Sequence, residues 1–308
     1  MSFASPSSTS VCALSLAEAE SQDFWRSLGP SHAATELHTT ASPRLPSPDA
    51  LRDALRHEGY VNVPDVLDPA AVARALSLVL ALRERGVPLA FAFVYDALWG
   101  LFASLGPFLE DTLGGGYRAL PDIWVWHLAA DDEARGWGPH RDRVRPTVDG
   151  DGRLASLTVW LPLTDATPLN GCMYALPAHR DPCFARRVWD GPDGALVPAP
   201  QDIRALPAPA GSLLAWNQNL LHWGGRSSRL AEGPRVSVSC EFQRADRSPY
   251  NTPWLDPATP PDFSLRLGLI GKQLLQYRHM HPLDEATAAL AEALRDRHLD
   301  ARAPDVTG

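Results

Sequence analysis

GWGPHRDR, residues 136–143, ends in a His-x-Asp triplet with His140 and Asp142 two positions apart. Side chains in a β-strand repeat every second residue, so a strand here would turn both to one face. An imidazole beside a carboxylate is two-thirds of the 2-His-1-carboxylate arrangement that holds Fe(II) and leaves coordination positions open. The missing ligand has to come from downstream. His222, in GSLLAWNQNLLHWGG at residues 211–225, is the best placed. Gly136 and Gly138-Pro139 make the approach to His140 a turn, which sets the triplet at the mouth of a strand, where small barrels build their sites. Gly224 and Gly225 end the strand of His222 at once and leave its ring near a rim. Each piece alone is weak: a His-x-Asp triplet is usually a surface feature, and a His at a strand end is usually satisfied by backbone.

Working outward, the sequence around the triplet reads as short strands. Residues 123–127 (IWVWH), 157–163 (LTVWLPL), 172–176, 212–223 and 234–242 are apolar or alternating runs bounded by Gly, Pro and Asp. Asn170-Gly171 is the strongest two-residue hairpin signal in the chain. Strands at this density suggest an antiparallel barrel or sandwich, so the fold class is mostly β with flanking helices. Before it, Ser47-Pro48 and Asp68-Pro69 are cap-plus-proline helix starts, with a strand at residues 60–63 between the two helices. A third helical region is expected over 90–109. After Tyr250, helices are expected near 264–277 and 284–297. The domain reading is a loosely held arm over 1–46, with one short helix near 16–28. A main domain over 47–250 follows, with an inserted loop at 181–207. A helical extension over 251–308 packs on the same domain.

In the last strand, PRVSVSCEF, alternation separates Val236, Val238, Cys240 and Phe242 from Arg235, Ser237 and Ser239. An inward Arg with a hydroxyl two residues on is a fork suited to a planar carboxylate. The alternative is an edge-strand Arg paired with Glu232 or Glu241. His127 lies on a strand next to the presumed site, as a cofactor contact or as a core histidine. The pair His279-x-His281 falls at a helix end, where residues two apart diverge. Trp124, Trp126, Trp137, Trp216 and Trp223 cluster around the ligands, as pocket wall or as plain core. Arg141, Arg143 and Arg145 flank the triplet and suggest an anionic group on a small-molecule substrate; the bland reading is a solvated rim.

Composition bounds the rest. The 308 residues carry a net charge of −8, and Lys272 is the only lysine among 28 cationic residues. No basic stripe is available for nucleic acid. No window approaches the ~20 apolar residues of a membrane helix. The N-terminus lacks the leading positive charge of a signal peptide. Cys12, Cys172, Cys183 and Cys240 form no C-x-x-C pair, which fits free thiols and a cytoplasmic setting. There is no G-x-S-x-G, Walker loop or H-E-x-x-H.

His140, Asp142, His222 and Arg235, in this order, resemble the phytanoyl-CoA dioxygenase family of Fe(II)/2-oxoglutarate oxygenases. LRDALRHEGYVNVPDVLDPAAVARA at 51–75 is similar to that family's opening helix-strand-helix. LTVWLPLTDATPLNGCMYALPAHR at 157–180 resembles its middle strands, and GSLLAWNQNLLHWGG its distal-His strand. The likeness covers roughly residues 50 to 245. It implies a double-stranded β-helix (jelly-roll) core in which His140, Asp142 and His222 ligate iron. It also implies that Arg235 grips the distal carboxylate of 2-oxoglutarate. The cofactors are then Fe(II), 2-oxoglutarate and O₂, and the activity is hydroxylation of a C–H with release of succinate and CO₂. Halogenating relatives have a small residue in place of Asp142, so the carboxylate speaks against that chemistry.

The family often has Gly-Ser-His after the strand Pro, whereas Pro177 here is followed by Ala178-His179. The gap from His222 to Arg235 is slightly long, which leaves Arg226 and Arg229 as alternatives. Two other functions stay open: a cupin-like metalloenzyme working without 2-oxoglutarate, and a non-catalytic jelly-roll binding protein.

Overall fold

The chain is described by a computed structural model over residues 14–28, 45–184, 198–280 and 282–300. Residues 185–197 of the expected insertion, His281 of the His-x-His pair and Cys12 lie outside the described residues. Ser47 caps α3 (Pro48–His57) through Ala50 N, with Pro48 at the first helical position, and Leu51 and Leu55 form its buried face. Strand β1 (Tyr60–Val63) follows. Asp68 then caps α4 (Pro69–Glu84), which buries Val72, Ala75, Val79 and Leu82 at helical spacing. The third helical region is broken where a single run was expected. It is a 3-10 turn at Leu89–Val94, α5 (Asp96–Ala103) and α6 (Gly106–Leu113), because Gly106-Pro107 starts a new helix more readily than it continues one.

The expected arm is partly docked. Two short helices, α1 (Leu16–Ala19) and α2 (Gln22–Leu28), occupy its described part. Trp25 is buried and stacks on Phe91 at 5.2 Å, and the Tyr95 hydroxyl donates to its carbonyl.

Among the described residues eight strands form two antiparallel sheets. The larger has the order β1-β6-β3-β8-β2, where β2 is Arg118–Leu128, β3 Ser156–Pro162, β6 Leu213–Asn217 and β8 Arg235–Gln243. The smaller has the order β5-β4-β7, with β4 Met173–Leu176, β5 Arg204–Leu206 and β7 Leu221–Gly224. Alternation divides the larger sheet's side chains. Leu157, Val159, Leu213, Ala215, Val236, Val238 and Phe242 join the helices in the main core. Trp160, Leu214 and Trp216, on the opposite face, pack with Met173, Ala175 and Leu206 of the smaller sheet. The space between the sheets is therefore the second, smaller core, and the site lies in it.

Three sequence expectations change here. Asn170-Gly171 is a turn rather than a hairpin apex: β3 is already paired on both edges, by β6 and β8, so β4 has to join the other sheet. The run 212–223 is two strands in different sheets, turning at the buried Gln218, Asn219 and Leu220. The described end of the insertion is β5, paired with β4 from Met173↔Leu206 to Ala175↔Arg204.

C-terminal to the sheets, α7 (Phe263–Gln276) and α8 (Glu285–His298) cross closely. A Cβ on Gly271 would come within 2.5 Å of the Ala291 carbonyl oxygen, so only glycine fits. No helix among the described residues is long and apolar enough to cross a membrane.

Candidate metal centre

His140 and Asp142 sit in an irregular segment, not in the strand their spacing suggested. Residue 140 forms an isolated antiparallel bridge with His222 of β7, each N–H donating to the other's carbonyl at 3.0 Å. Gly136 N to Gly225 O and Gly224 N to Trp137 O extend the pairing upstream, and Arg143 N to Gln218 O extends it downstream. The segment thus lies along β7 at the edge of the smaller sheet. Ligands far apart in sequence become a cross-strand pair, with ring centroids 4.4 Å apart.

The donor atoms converge. Asp142 Oδ1 is 3.3 Å from His140 Nε2 and 3.5 Å from His222 Nε2. His140 Nδ1 meets the Gly138 carbonyl at 2.8 Å, and His222 Nδ1 meets the Leu220 carbonyl at 3.0 Å. A carbonyl oxygen only accepts, so Nδ1 carries the proton in both rings and both Nε2 present lone pairs. Two nitrogen lone pairs and a carboxylate oxygen, with no proton between them, repel one another unless a cation lies among them. The donor set fits a metal ion.

The other carboxylate oxygen, Asp142 Oδ2, accepts from Thr158 Oγ1 at 2.6 Å and from Trp216 Nε1 at 2.9 Å. Oδ1 is thereby aimed at the imidazoles. Burial pushes the Asp142 carboxyl up, but the imidazoles of His222 and His140 and the hydrogen bond from Thr158 outweigh it and hold it below the ordinary carboxylate range. Burial lowers the His222 imidazole to about 4, against the pull of Asp142. An ionised carboxylate and a neutral imidazole are the protonation states metal binding needs. Thr158 and the buried run Asn217-Gln218-Asn219 were not singled out from sequence. Three polar residues inside an apolar stretch are the signal that could have found the latter. Asn219 accepts from Thr147 N and donates to the carbonyls of Arg143 and Arg145, clamping the ligand segment.

A second group, His57, Glu58 and His179, also brings possible ligand atoms within 4.8 Å of one another. It lies at the surface, where the His57 side chain is 69% exposed, and Glu58 is held only loosely, 3.6 Å from each imidazole.

Arg235 and Ser237 face the inter-sheet space, on the side of β8 opposite Val236 and Val238. Arg235 is 2% exposed. Its Nη1 donates to the Gly171 carbonyl at 2.8 Å and its guanidinium lies 5.6 Å from the centre of the Trp160 ring. Among the described residues no carboxylate pairs with it: Glu241 is taken by Arg143. Arg235 Nε and Ser237 Oγ are buried with no hydrogen-bond partner among the described residues. Burial lowers the Arg235 guanidinium to about 10, still charged at neutral pH. A buried cation beside two unsatisfied polar atoms fits a carboxylate ligand. A Cβ on Gly224 would stand 3.4 Å from Arg235 Nη1 and 2.9 Å from Gly136 Cα, so glycine keeps this corner open. Gly224 is two residues along β7 from His222, a rise of about 7 Å.

The remaining expectations divide. Arg226 and Arg229 both turn to Asp132 at the surface. His127 is a correction: it pairs with Val236 on the helix-facing side of the sheet, near Arg83, and so faces away from Arg235 and Ser237. Arg141 bonds Asp181 at 2.5 Å and the Asn219 carbonyl, and Arg143 pairs with Glu241 and Asp122. Both are committed inside the chain, whereas Arg145 is exposed. Trp223 stacks on Tyr174 at 5.9 Å, away from the triad, whereas Trp137 meets the His140 ring edge-on at 5.8 Å.

The family model described as Phytanoyl-CoA dioxygenase (PhyH) matches residues 118–231, which include His140, Asp142 and His222. No curated protein matches the chain. Among solved structures, the epimerase SnoN in complex with Fe3+, alpha ketoglutarate and nogalamycin RO is 22% identical, with a TM-score of 0.50, over 69% of this chain and 93% of its own. The nickel complex of the non-heme monooxygenase ThoJ is 17% identical, with a TM-score of 0.51, over 80% of this chain and 96% of its own. At these identities the neighbours speak for the fold. The segment that matches the phytanoyl-CoA dioxygenase family model, residues 118–231, thus holds all three residues of the triad.

Proposed function

We propose that the chain is an Fe(II)/2-oxoglutarate-dependent dioxygenase that hydroxylates an unactivated C–H of a small molecule and releases succinate and CO₂. One observation carries the reading: opposite charges are left for ligands within one inter-sheet space. Three lone-pair donors converge beside β7, and a buried guanidinium without a carboxylate stands two residues along that strand. We read the two facing sheets as a double-stranded β-helix. His140 Nε2, His222 Nε2 and Asp142 Oδ1 would hold the metal, and Arg235 with Ser237 would hold the distal carboxylate of 2-oxoglutarate. Two fold neighbours, one in complex with Fe3+ and alpha ketoglutarate and one a nickel complex, support the same cofactor class. The buried free thiols Cys172 and Cys240 fit a reducing, cytoplasmic setting.

Iron with 2-oxoglutarate supplies the O₂ activation that oxidation of a C–H requires. The chain supplies orientation. Thr158 and Trp216 fix which oxygen of Asp142 faces the imidazoles, and the Gly138 and Leu220 carbonyls fix the tautomers and ring planes. Trp160 and the Gly171 carbonyl hold the guanidinium of Arg235. His222 is 3% exposed, which keeps water from that side of the centre.

The test is Fe(II)-dependent release of succinate from 2-oxoglutarate against a metabolite panel, with the Asp142→Ala variant as blank. Turnover in the native chain and none in the variant is expected. Metal binding without any response to 2-oxoglutarate would favour a cupin-like enzyme, and no Fe(II) uptake would favour a binding protein; either sinks the reading.

A further inference from the structure

Thr158 stands between two carboxylates with one proton to give. Asp142 Oδ2 lies 2.6 Å from its Oγ1, and Glu241, its cross-strand partner in β8, projects from the same face of the sheet. Gln218 lies between these groups. Fully buried at the turn from β6 to β7, it brings Nε2 to 3.2 Å from Thr158 Oγ1 and to 2.7 Å from Glu241 Oε2.

Chemistry fixes the direction of each bond. Glu241 Oε2 accepts from Arg143 Nη2, so it offers lone pairs, and the nitrogen of the Gln218 amide faces it. Burial and Asp122 push the Glu241 carboxyl up, but a proton taken there is left Oε1, since Oε2 already accepts twice. An amide nitrogen carries two protons, one for Glu241 and one for Thr158. Thr158 Oγ1 therefore accepts from Gln218, and its own proton has to point at Asp142. The arrangement leaves Gln218 Oε1 and Arg143 Nε buried without partners among the described residues. Turning the amide over would set Oε1 against Glu241 Oε2, two acceptors face to face. The Gln218 carbonyl also accepts from Arg143 N at 3.0 Å. One turn residue thus guides both the chain after Asp142 and the proton beside it.

Resting on the reading of the triad as a metal centre, we propose that Gln218 is a positioning residue of that centre. Its amide keeps Glu241 from drawing the Thr158 proton, and so keeps Asp142 Oδ2 bonded and Oδ1 free for the metal.

Anaerobic Fe(II) titration of the full chain tests this. Gln218→Glu keeps the shape of the side chain. Beside Glu241 the new carboxyl stays protonated, and its single proton goes to Glu241 Oε2, so a lone pair faces Thr158. Fe(II) binding should weaken about tenfold, as in Thr158→Val, and the two substitutions together should bind no more weakly than either alone. Gln218→Met removes the amide without adding an acceptor and should weaken binding only about threefold. That smaller loss should also vanish in the Thr158→Val background, which keeps the test open if the buried carboxyl unfolds the chain. Lost packing alone gives the reverse order, since Met departs from the shape of Gln and Glu does not. The visible bands of the Co(II)-loaded chain, which respond to its carboxylate ligand, should shift alike in Gln218→Glu and Thr158→Val. Additive losses in the double variants, a larger loss in Gln218→Met than in Gln218→Glu, or native affinity with unshifted bands in Gln218→Glu overturns the proposal. Failure of the native chain to take up Fe(II) counts against the metal-centre reading instead.

Discussion

Two arginines reach the same face of the five-stranded sheet and meet opposite treatment. Arg143 lies against Glu241 and Asp122 and covers the Tyr250 ring at 5.5 Å. Arg235, more deeply buried, has a carbonyl and an aromatic face but no carboxylate among the described residues. A fold has no reason to desolvate an unpaired cation for its own stability, since the cost is several kcal/mol. The first arginine is part of the structure; the second is held ready for an anion from outside. The triad repeats the lesson with the sign reversed, because its lone pairs face one another rather than a donor of the chain.

Changes at the two ends should therefore separate. The largest effect is expected for Asp142→Ala, which removes the carboxylate and strands the Thr158 and Trp216 donors. Succinate release should fall at least about a thousandfold, while circular dichroism stays native-like; retained turnover would break the contrast at once. Arg143→Met should cost about 3 kcal/mol in denaturant unfolding, because Glu241 and Asp122 are left buried without their cation.

Arg235→Met should do the reverse. The ligand-free chain should lose no stability and 2-oxoglutarate binding should weaken about 100-fold, read by chemical denaturation and by calorimetry. A destabilised Arg235→Met with unchanged 2-oxoglutarate affinity would exchange the roles assigned to the two arginines. Thr158→Val is the mildest change at the triad end and should weaken Fe(II) binding about tenfold in anaerobic titration, with 2-oxoglutarate affinity unaltered at saturating metal.

Acid offers a perturbation without mutation. The His222 imidazole is lowered from 6.5 to about 4 in the folded chain, so the unfolded chain takes up its proton first as pH falls. Its contribution is fully present above pH 6.5 and is lost as pH falls through 4. The loss is about 3 kcal/mol in the metal-free protein. Asp142, also depressed, acts in the same direction at lower pH. Stability of the chelator-treated chain against pH should show this slope, and a His222→Gln variant should flatten it. A slope unchanged in that variant would assign it to another group.

Much of this was legible in the residues. Capped helix starts at Ser47-Pro48 and Asp68-Pro69 appeared where expected, because N-caps and proline act within a few residues. The alternation in β8 correctly separated Val236, Val238 and Phe242 from Arg235 and Ser237. His127 was misjudged because one strand has two faces, and its sequence does not say which one looks at the site. Asn170-Gly171 misled for a related reason: a turn dipeptide reports local backbone preference, while the choice of neighbouring strand depends on which edges are already paired.

The chain's order of residue types determined the kind of chemistry available, since two imidazoles, a carboxylate and an inward arginine are readable as letters with a spacing. Tertiary structure alone decided that His140 would lie beside His222, that Asp142 would be aimed by Thr158 and Trp216, and that Arg143 would be neutralised while Arg235 would not. Those outcomes depend on sheet edges and on the desolvation of specific atoms, and both are set by long-range pairing that no local pattern encodes.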